Sequence, residues 1–266
     1  MTKQEAMKLA AIEFTQGIPI QEVMSKYNVS YASVYNAIKK YDIPYKKTYG
    51  RTVFFDEDFF NIIDTGEKAY WLGFIMADGN VNKTSNKYPN YNRLTIGISI
   101  DDNTHLDKFK SIINHTGNYV YESHKESYST KPICYLYCNS IKMVSNLIAL
   151  GVTPRKTGYS NIPNIPQELI HHFLRGYFDG DGCISVYHDK KNVLRGEFSI
   201  TTDSNILYQI QDILITECSL NKTKLKSYKH TEYASSLRYG GIEQLKRIQQ
   251  YLYKDATVYL HRKYDN

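Results

Sequence analysis

Apolar positions are densest in two segments of this chain, Trp71-Leu72-Gly73-Phe74-Ile75-Met76-Ala77 and Leu174-Arg175-Gly176-Tyr177-Phe178. Each closes on acid and glycine, Asp78-Gly79 in the first and Asp179-Gly180-Asp181-Gly182 in the second. Runs of this kind predict helices buried on all sides. Small residues four apart, Gly73 with Ala77 and Gly176 with Gly180, share one stripe of each helix, so the two helices are expected to pack with their backbones unusually close. Downstream, the pattern changes to alternation. Ile98-Ser99-Ile100 answers Phe198-Ser199-Ile200, and each is followed by an amphipathic helix, Leu106 to Ile113 and Leu207 to Leu214. Tyr135-Leu136-Tyr137 answers Ser236-Leu237-Arg238, and these lead into the helices Ile141 to Leu150 and Ile242 to Leu252. Helix, two strands, helix, two strands, helix, repeated at an offset near 103 residues, predicts an α+β unit duplicated in tandem over 67–160 and 161–266.

Ahead of the repeats, residues 1–44 predict a small all-α unit. Thr2-Lys3-Gln4-Glu5 has the capping-box pattern for a first helix, which Gly17 can end. A second helix follows from Pro19 to about Tyr27. Ser30 then caps a third from Tyr31 to Tyr41, and Ile12, Ile20, Val23, Val29, Val34 and Ile38 supply a core. The unit resembles the helix-turn-helix of invertases and transposases. That resemblance implies a third helix in the DNA major groove, presenting Ser33, Asn36, Lys39 and Lys40, with Asn36 the best base reader. A protein-binding three-helix module is the alternative. Residues 45–66, with Lys46 and Lys47, read as a basic linker along DNA.

Each motif helix is expected to end at its last acid, with Gly79 or Gly182 in the left-handed position that follows. A carboxylate at the negative end of a helix dipole costs roughly 0.3–1 kcal/mol, and two brought together repel each other as well. A bound cation relieves both penalties. Asp78 and Asp181 are therefore expected to form a paired-carboxylate metal site, with backbone groups around Gly79 and Gly182 as further candidate ligands. A single Asp-Gly would read equally well as the start of a turn; the duplicated glycine spacing favours the site.

These segments resemble the signature motifs of the LAGLIDADG homing endonucleases, in the single-chain form with two motifs. The sixth motif position is Asp179 in the second copy but Met76 in the first, so the catalytic acids carried over are those of the eighth position, Asp78 and Asp181. The resemblance implies a pseudo-twofold saddle of two sheets over double-stranded DNA, formed by a monomer. It further implies Mg²⁺-dependent cleavage of both strands across the minor groove, with Mn²⁺ able to substitute, leaving short 3′ overhangs and serving the homing of an intron, intein or free-standing element. A basic residue late in each unit assists in the family, and the matching positions are Lys156 and Lys263. Asp102 and Thr202 follow corresponding strands and are expected to organise water. The same scaffold occurs in intron RNA maturases and in non-cleaving DNA-binding regulators. Acids in both motifs argue against the regulator and leave the maturase, with RNA as partner, open.

Charge agrees with a polyanionic partner. The chain carries a formal +6, and residues 221–264 hold ten Lys and Arg against three Asp and Glu. Lys222, Lys224 and Lys226 alternate, placing all three on one face of an expected strand, for phosphate contacts. Cys134, Cys138, Cys183 and Cys218 form no metal-ligand spacing and read as reduced, small apolar residues. No secretory or transit pattern occurs between Met1 and Gln16 and no long apolar run follows, so a cytoplasmic protein without membrane association is expected.

Overall fold

The structure, a computed structural model, describes residues 2–16, 18, 20–44, 53–83, 92–122, 131–154, 160–228 and 234–264. Gly17, Pro19, Lys46, Lys47 and Lys156 lie outside the described residues. The chain divides into two compact units, Met1–Thr52 and Val53–Asn266.

The first unit contains α1 (Lys3–Thr15), α2 (Ile20–Tyr27) and α3 (Tyr31–Lys40). Both sides of the capping box form: the Thr2 hydroxyl accepts from Glu5 N and the Glu5 carboxylate from Thr2 N. Ser30 caps α3 by accepting from Ser33 N. Ala10, Ala11, Val23, Val34, Ala37 and Ile38 make the core, with Ile20 and Val29 packed against it. Ile12, expected among them, is only half-buried and stands outside that cluster, whereas Ala10 and Ala11 of α1 are buried in it. Glu13 ties α2 to α1 by accepting from both Lys26 and Tyr27.

The second unit is the duplicated α+β fold. Its first half runs α4 (Gly66–Asp78), β1 (Gly79–Asn82), β2 (Arg93–Ser99), α5 (Asn103–Ile112), β3 (Val120–Glu122), β4 (Ile133–Asn139) and α6 (Ile141–Ala149). Its second half runs α7 (Ile170–Asp181), β5 (Gly182–His188), β6 (Leu194–Asp203), α8 (Ser204–Cys218), β7 (Lys226–Ser227), β8 (Ala234–Gly240) and α9 (Ile242–Leu252). A short α10 (His261–Tyr264) follows. Each half forms an antiparallel four-stranded sheet, in order β1-β2-β4-β3 and β5-β6-β8-β7. One hydrophobic core runs through both halves.

Register corrects part of the repeat alignment. Gly79 faces Ile96 and Gly182 faces Ile200, while Ile96 pairs with Leu136 and Ile200 with Leu237. Leu136 therefore answers Leu237 as expected, but Phe198-Ser199-Ile200 answers Leu94-Thr95-Ile96 rather than Ile98-Ser99-Ile100. Leu94, Ile96, Phe198 and Ile200 are all buried. The expected linker is also shorter than 45–66. Asp56 N donates to Ile113 O, Thr116 N donates to Phe54 O, and Phe59 and Phe60 pack edge-on and tilted against Phe109 in the core, so residues 53–65 belong to the second unit. Among the described residues no helix is long and apolar enough to cross a membrane.

Candidate active site

The glycine stripe does in three dimensions what its spacing predicts. A methyl group built on Gly73 would stand 2.0 Å from the carbonyl oxygen of Phe173, and one on Gly176 would stand 1.9 Å from that of Tyr70. The relation is reciprocal. Gly73 meets Phe173 and Tyr177, Gly176 meets Tyr70 and Phe74, and these are equivalent motif positions, as a local twofold axis between α4 and α7 requires. One turn later a methyl on Gly180 would meet Ala77 Cβ at 2.4 Å. Only glycine permits this approach of main chain to main chain.

The seam brings the helix ends together. Asp78 is exposed and Asp181 half-buried, and a Cβ on Gly180 would lie 3.5 Å from the Asp78 carboxyl carbon. Asp78 thus lies against the last turn of α7 at Gly180. Both acids act on the same neighbours: burial raises the Tyr177 hydroxyl pKa, with Asp181 and Asp78 adding to it, and both oppose the lowering of the Lys263 ammonium by burial. The glycines that follow are extended rather than left-handed, at φ −74° for Gly79 and −89° for Gly182. Strands β1 and β5 begin at once, and a side chain on Gly182 would collide with the Phe178 ring at 2.1 Å.

Lys263 is buried, where an exposed turn lysine would be ordinary. Its ammonium donates to the carbonyls of Phe178 (3.1 Å), Gly180 (3.2 Å) and Gly182 (2.6 Å), closing the C-terminal end of α7 with a cation. The Gly182 carbonyl, a candidate metal ligand from the sequence, is committed to this lysine. Asp179, the unmatched acid of the second motif, is buried as well. It accepts from the Tyr70 hydroxyl and from Leu260 N, both at 2.7 Å, and more weakly from Tyr253. Burial pushes its pKa up to about 6 against these hydrogen bonds and the nearby Lys263 and Arg175. Since the one Tyr70 proton goes to Asp179, the contact between His105 Nε2 and Tyr70 has His105 as donor. That fits a His105 held neutral, with burial bringing its pKa to about 3. Arg175 spans from α7 to the carbonyls of Val258 and Leu252 and to His172 Nδ1. None of these roles was legible in the sequence, where only the apolar context of Arg175 and the Met76/Asp179 mismatch hinted at them.

A cleft of about 190 Å³ opens beside Asp78, lined also by Ser99, Asp102 and Arg262. Asp102, expected to organise water, accepts from Arg262 Nε at 2.8 Å. Thr202 pairs its hydroxyl with that of Tyr177 at 2.8 Å. Among the described residues no three His, Cys, Asp or Glu side chains are grouped to hold a metal. Two carboxylates at adjoining helix ends still fit a hard cation such as Mg²⁺, which takes one or two carboxylates and keeps several waters.

Candidate DNA contacts are spread more widely. Asn36, Lys39 and Lys40 are exposed on α3, whereas Ser33 is half-buried and pairs with Ser30. Lys222, Lys224 and Lys226 are all exposed, but only Lys226 lies in a strand, the two-residue β7; the expected continuous strand face is absent among the described residues. Of the cysteines, Cys134, Cys138 and Cys218 are buried as expected for small apolar residues, and Cys183 is exposed.

The family model described as LAGLIDADG endonuclease matches residues 174–260, from within α7 to the residue before α10. Over these residues the chain is similar to LAGLIDADG endonucleases. The half before it repeats the same strand order and a motif helix of the same spacing. An uncharacterized protein of Methanocaldococcus jannaschii is 26% identical over 245 residues, covering 87% of this chain and 24% of that protein. The chain thus spans about a quarter of the length of the curated relative it matches. Among solved structures, the chain is similar to the LAGLIDADG homing endonuclease I-GzeII in complex with its DNA target, at 13% identity, 74% and 86% coverage and a TM-score of 0.49. It is also similar to the LAGLIDADG homing endonuclease I-SmaMI bound to cleaved DNA, at 12% identity, 77% and 87% coverage and a TM-score of 0.47.

Proposed function

We propose that this protein is a site-specific DNA endonuclease that hydrolyses both strands of a duplex, one at each of the acids Asp78 and Asp181. The observation that carries the reading is the glycine seam. Packing backbone on backbone at Gly73 and Gly176 joins two helices that each end in an acid, and a carboxylate at the negative end of a helix is unfavourable unless a cation accompanies it, which supports the reading. Mg²⁺, with Mn²⁺ able to replace it, would supply neutralisation of charge on the phosphate and an activated water when bound. The rest falls to the chain. Asp78 and Asp181 would hold the ion, Lys263 fixes the end of α7, and the seam holds the two helix ends together. Lys222, Lys224, Lys226 and the remaining surface cations contact phosphate, giving affinity that falls with salt. Lys46 and Lys47 are assigned to the same interface, and Lys156 to assistance near the attacking water. The three-helix unit, through Asn36, Lys39 and Lys40, reads a flanking half-site. Cleavage by a monomer, short 3′ overhangs and homing of a mobile element complete the proposal.

A supercoiled plasmid library with a randomised insert, incubated with the purified chain with and without Mg²⁺, tests it. Metal-dependent linear product with recurrent sequence at the ends and 3′ overhangs is expected. Binding with no cutting would instead identify a regulator, and RNA binding with no cutting would identify a maturase.

A further inference from the structure

Both halves of the second unit and its C-terminal segment meet at Asp179. A single oxygen, Oδ2, accepts from the Tyr70 hydroxyl of α4 and from Leu260 N, each at 2.7 Å, while Oδ1 accepts from the Tyr253 hydroxyl at 3.4 Å. Tyr70 in turn meets His105 Nε2 of α5 at 2.8 Å. Contacts therefore run from α5 through α4 and α7 to the segment after α9. Just ahead of Leu260 that segment is held to the first half, where Thr257 donates to Glu67 and Lys108 Nζ donates to Tyr259 O at 2.9 Å. Leu260 is buried and, with Asp179, lines the cleft beside Asp78.

Packing alone does not call for this polar chain. The reciprocal glycine contacts pair Tyr70 with Phe173 and Met76 with Asp179 across the local twofold axis, at the common offset of 103 residues. Phe173 and Met76 are as deeply buried as Tyr70 and Asp179, at 0% and 4% exposure, and are wholly apolar. Helix α8, the counterpart of α5, has no histidine. Buried polar groups in series cost more than hydrocarbon, and His105 Nδ1 has no hydrogen-bond partner among the described residues. One side of the axis is closed by hydrocarbon, and the other by a polar chain that ends on the Leu260 amide.

Resting on the nuclease reading, we propose that Tyr70 and Asp179 are positioning residues for cleavage: the Asp179 carboxylate, aimed by Tyr70, seats Leu260 and so fixes a wall of the cleft in which Asp78 acts. Misplacement by about 1 Å near a reacting group costs about 10²-fold in rate. DNA affinity, spread over many phosphate contacts, does not depend on this wall.

Single-turnover cleavage of the selected plasmid, DNA binding at one salt concentration, thermal melting and amide hydrogen exchange at Leu260 test this on the full chain. The double variant Tyr70→Phe/Asp179→Met copies the apolar pair of the opposite side. It should melt no lower than Asp179→Met alone and bind DNA as the wild type does, yet cut about 10²-fold more slowly. Its Leu260 amide, deprived of an acceptor, should exchange faster. Asp179→Asn keeps one oxygen able to accept from both Tyr70 and Leu260 N, and should restore most of the rate and the protection. The inference is overturned if the double variant cuts at the wild-type rate, if Asp179→Asn cuts as slowly as the double variant, or if rates simply follow melting temperatures. Should the double variant not fold, Tyr70→Phe alone decides, since it removes one oxygen and leaves the glycine seam intact: slower cutting with faster Leu260 exchange is expected, and wild-type values of both overturn the inference. A wild type that does not cut would remove the nuclease reading and this inference with it, whereas a wild type matched in rate by the double variant would remove this inference alone.

Discussion

Gly176→Ala is the smallest change that tests the helix seam. The new methyl group would lie 1.9 Å from Tyr70 O, 2.8 Å from Tyr70 C and 2.9 Å from Phe74 N, all main-chain atoms of α4 that no rotamer change can move. Real Cβ contacts below 3.0 Å are essentially unknown, so α4 and α7 must separate by about 1 Å at this level. Overpacking against atoms that can yield costs about 1–3 kcal/mol, and rigid backbone on both sides places this case at the upper end or above it. Alanine returns about 1 kcal/mol through helix propensity, leaving a net loss of about 2 kcal/mol or more. For a body of this size that lowers the melting temperature by about 4–8 °C. A 1 Å displacement of catalytic groups also costs about 10²-fold in rate, so cleavage should fall far more than stability. Gly240→Ala is the control, since a methyl group there meets nothing within 4 Å. Thermal melts and single-turnover cleavage of the three proteins provide the comparison. If Gly176→Ala melts and cuts like Gly240→Ala, the two motif helices do not meet at these glycines.

Asp179 gives a pH signature. Its pKa in the fold, about 6, lies above the ordinary carboxyl value because burial penalises the charge. The folded state therefore holds this proton more tightly than the unfolded state, and stability is greatest below the ordinary value and is lost as pH rises through about 6, by up to about 3 kcal/mol. Asp179→Asn keeps an acceptor for Tyr70 and Leu260 and removes the titration. Its melting temperature should fall less than that of the wild type between pH 5 and pH 7.5; an identical fall in both proteins would show that Asp179 does not titrate there. A fragment beginning at Val53 should fold and cut a core site while binding more weakly and showing a footprint shortened on one flank only. Equal footprints for fragment and full chain at the same salt would assign the three-helix unit to some other partner.

The sequence made local spacing legible and long-range pairing obscure. Gly73, Ala77, Gly176 and Gly180 lie one turn apart within single helices, so their shared face could be read directly. Leu136 and Leu237 were matched correctly because each is the one leucine flanked by polar or amphipathic residues in its strand. Ile98 was misaligned by four residues, since a slip by an even number keeps every side chain on the same face and leaves the alternation unchanged. Lys263 and Asp179 have roles set by a C-terminal segment that folds back onto α7, and no local pattern announces a lysine buried among carbonyls. Asp102 and Arg262 meet only across the two halves. Residues 53–65 read as linker because they lack a helical or strand period, yet Phe59 and Phe60 had the composition of a core.

The reading stands on two adjacent acids acting with a divalent ion on DNA, and the most direct test is cleavage of the selected plasmid by the wild type, Asp78→Asn and Asp181→Asn, with Mg²⁺ and with chelator, alongside binding at one salt concentration. Linear product should come from the wild type with Mg²⁺ alone, while both variants bind DNA nearly as the wild type does and yield no linear product. Linear product from either variant, or from the wild type in chelator, would contradict it.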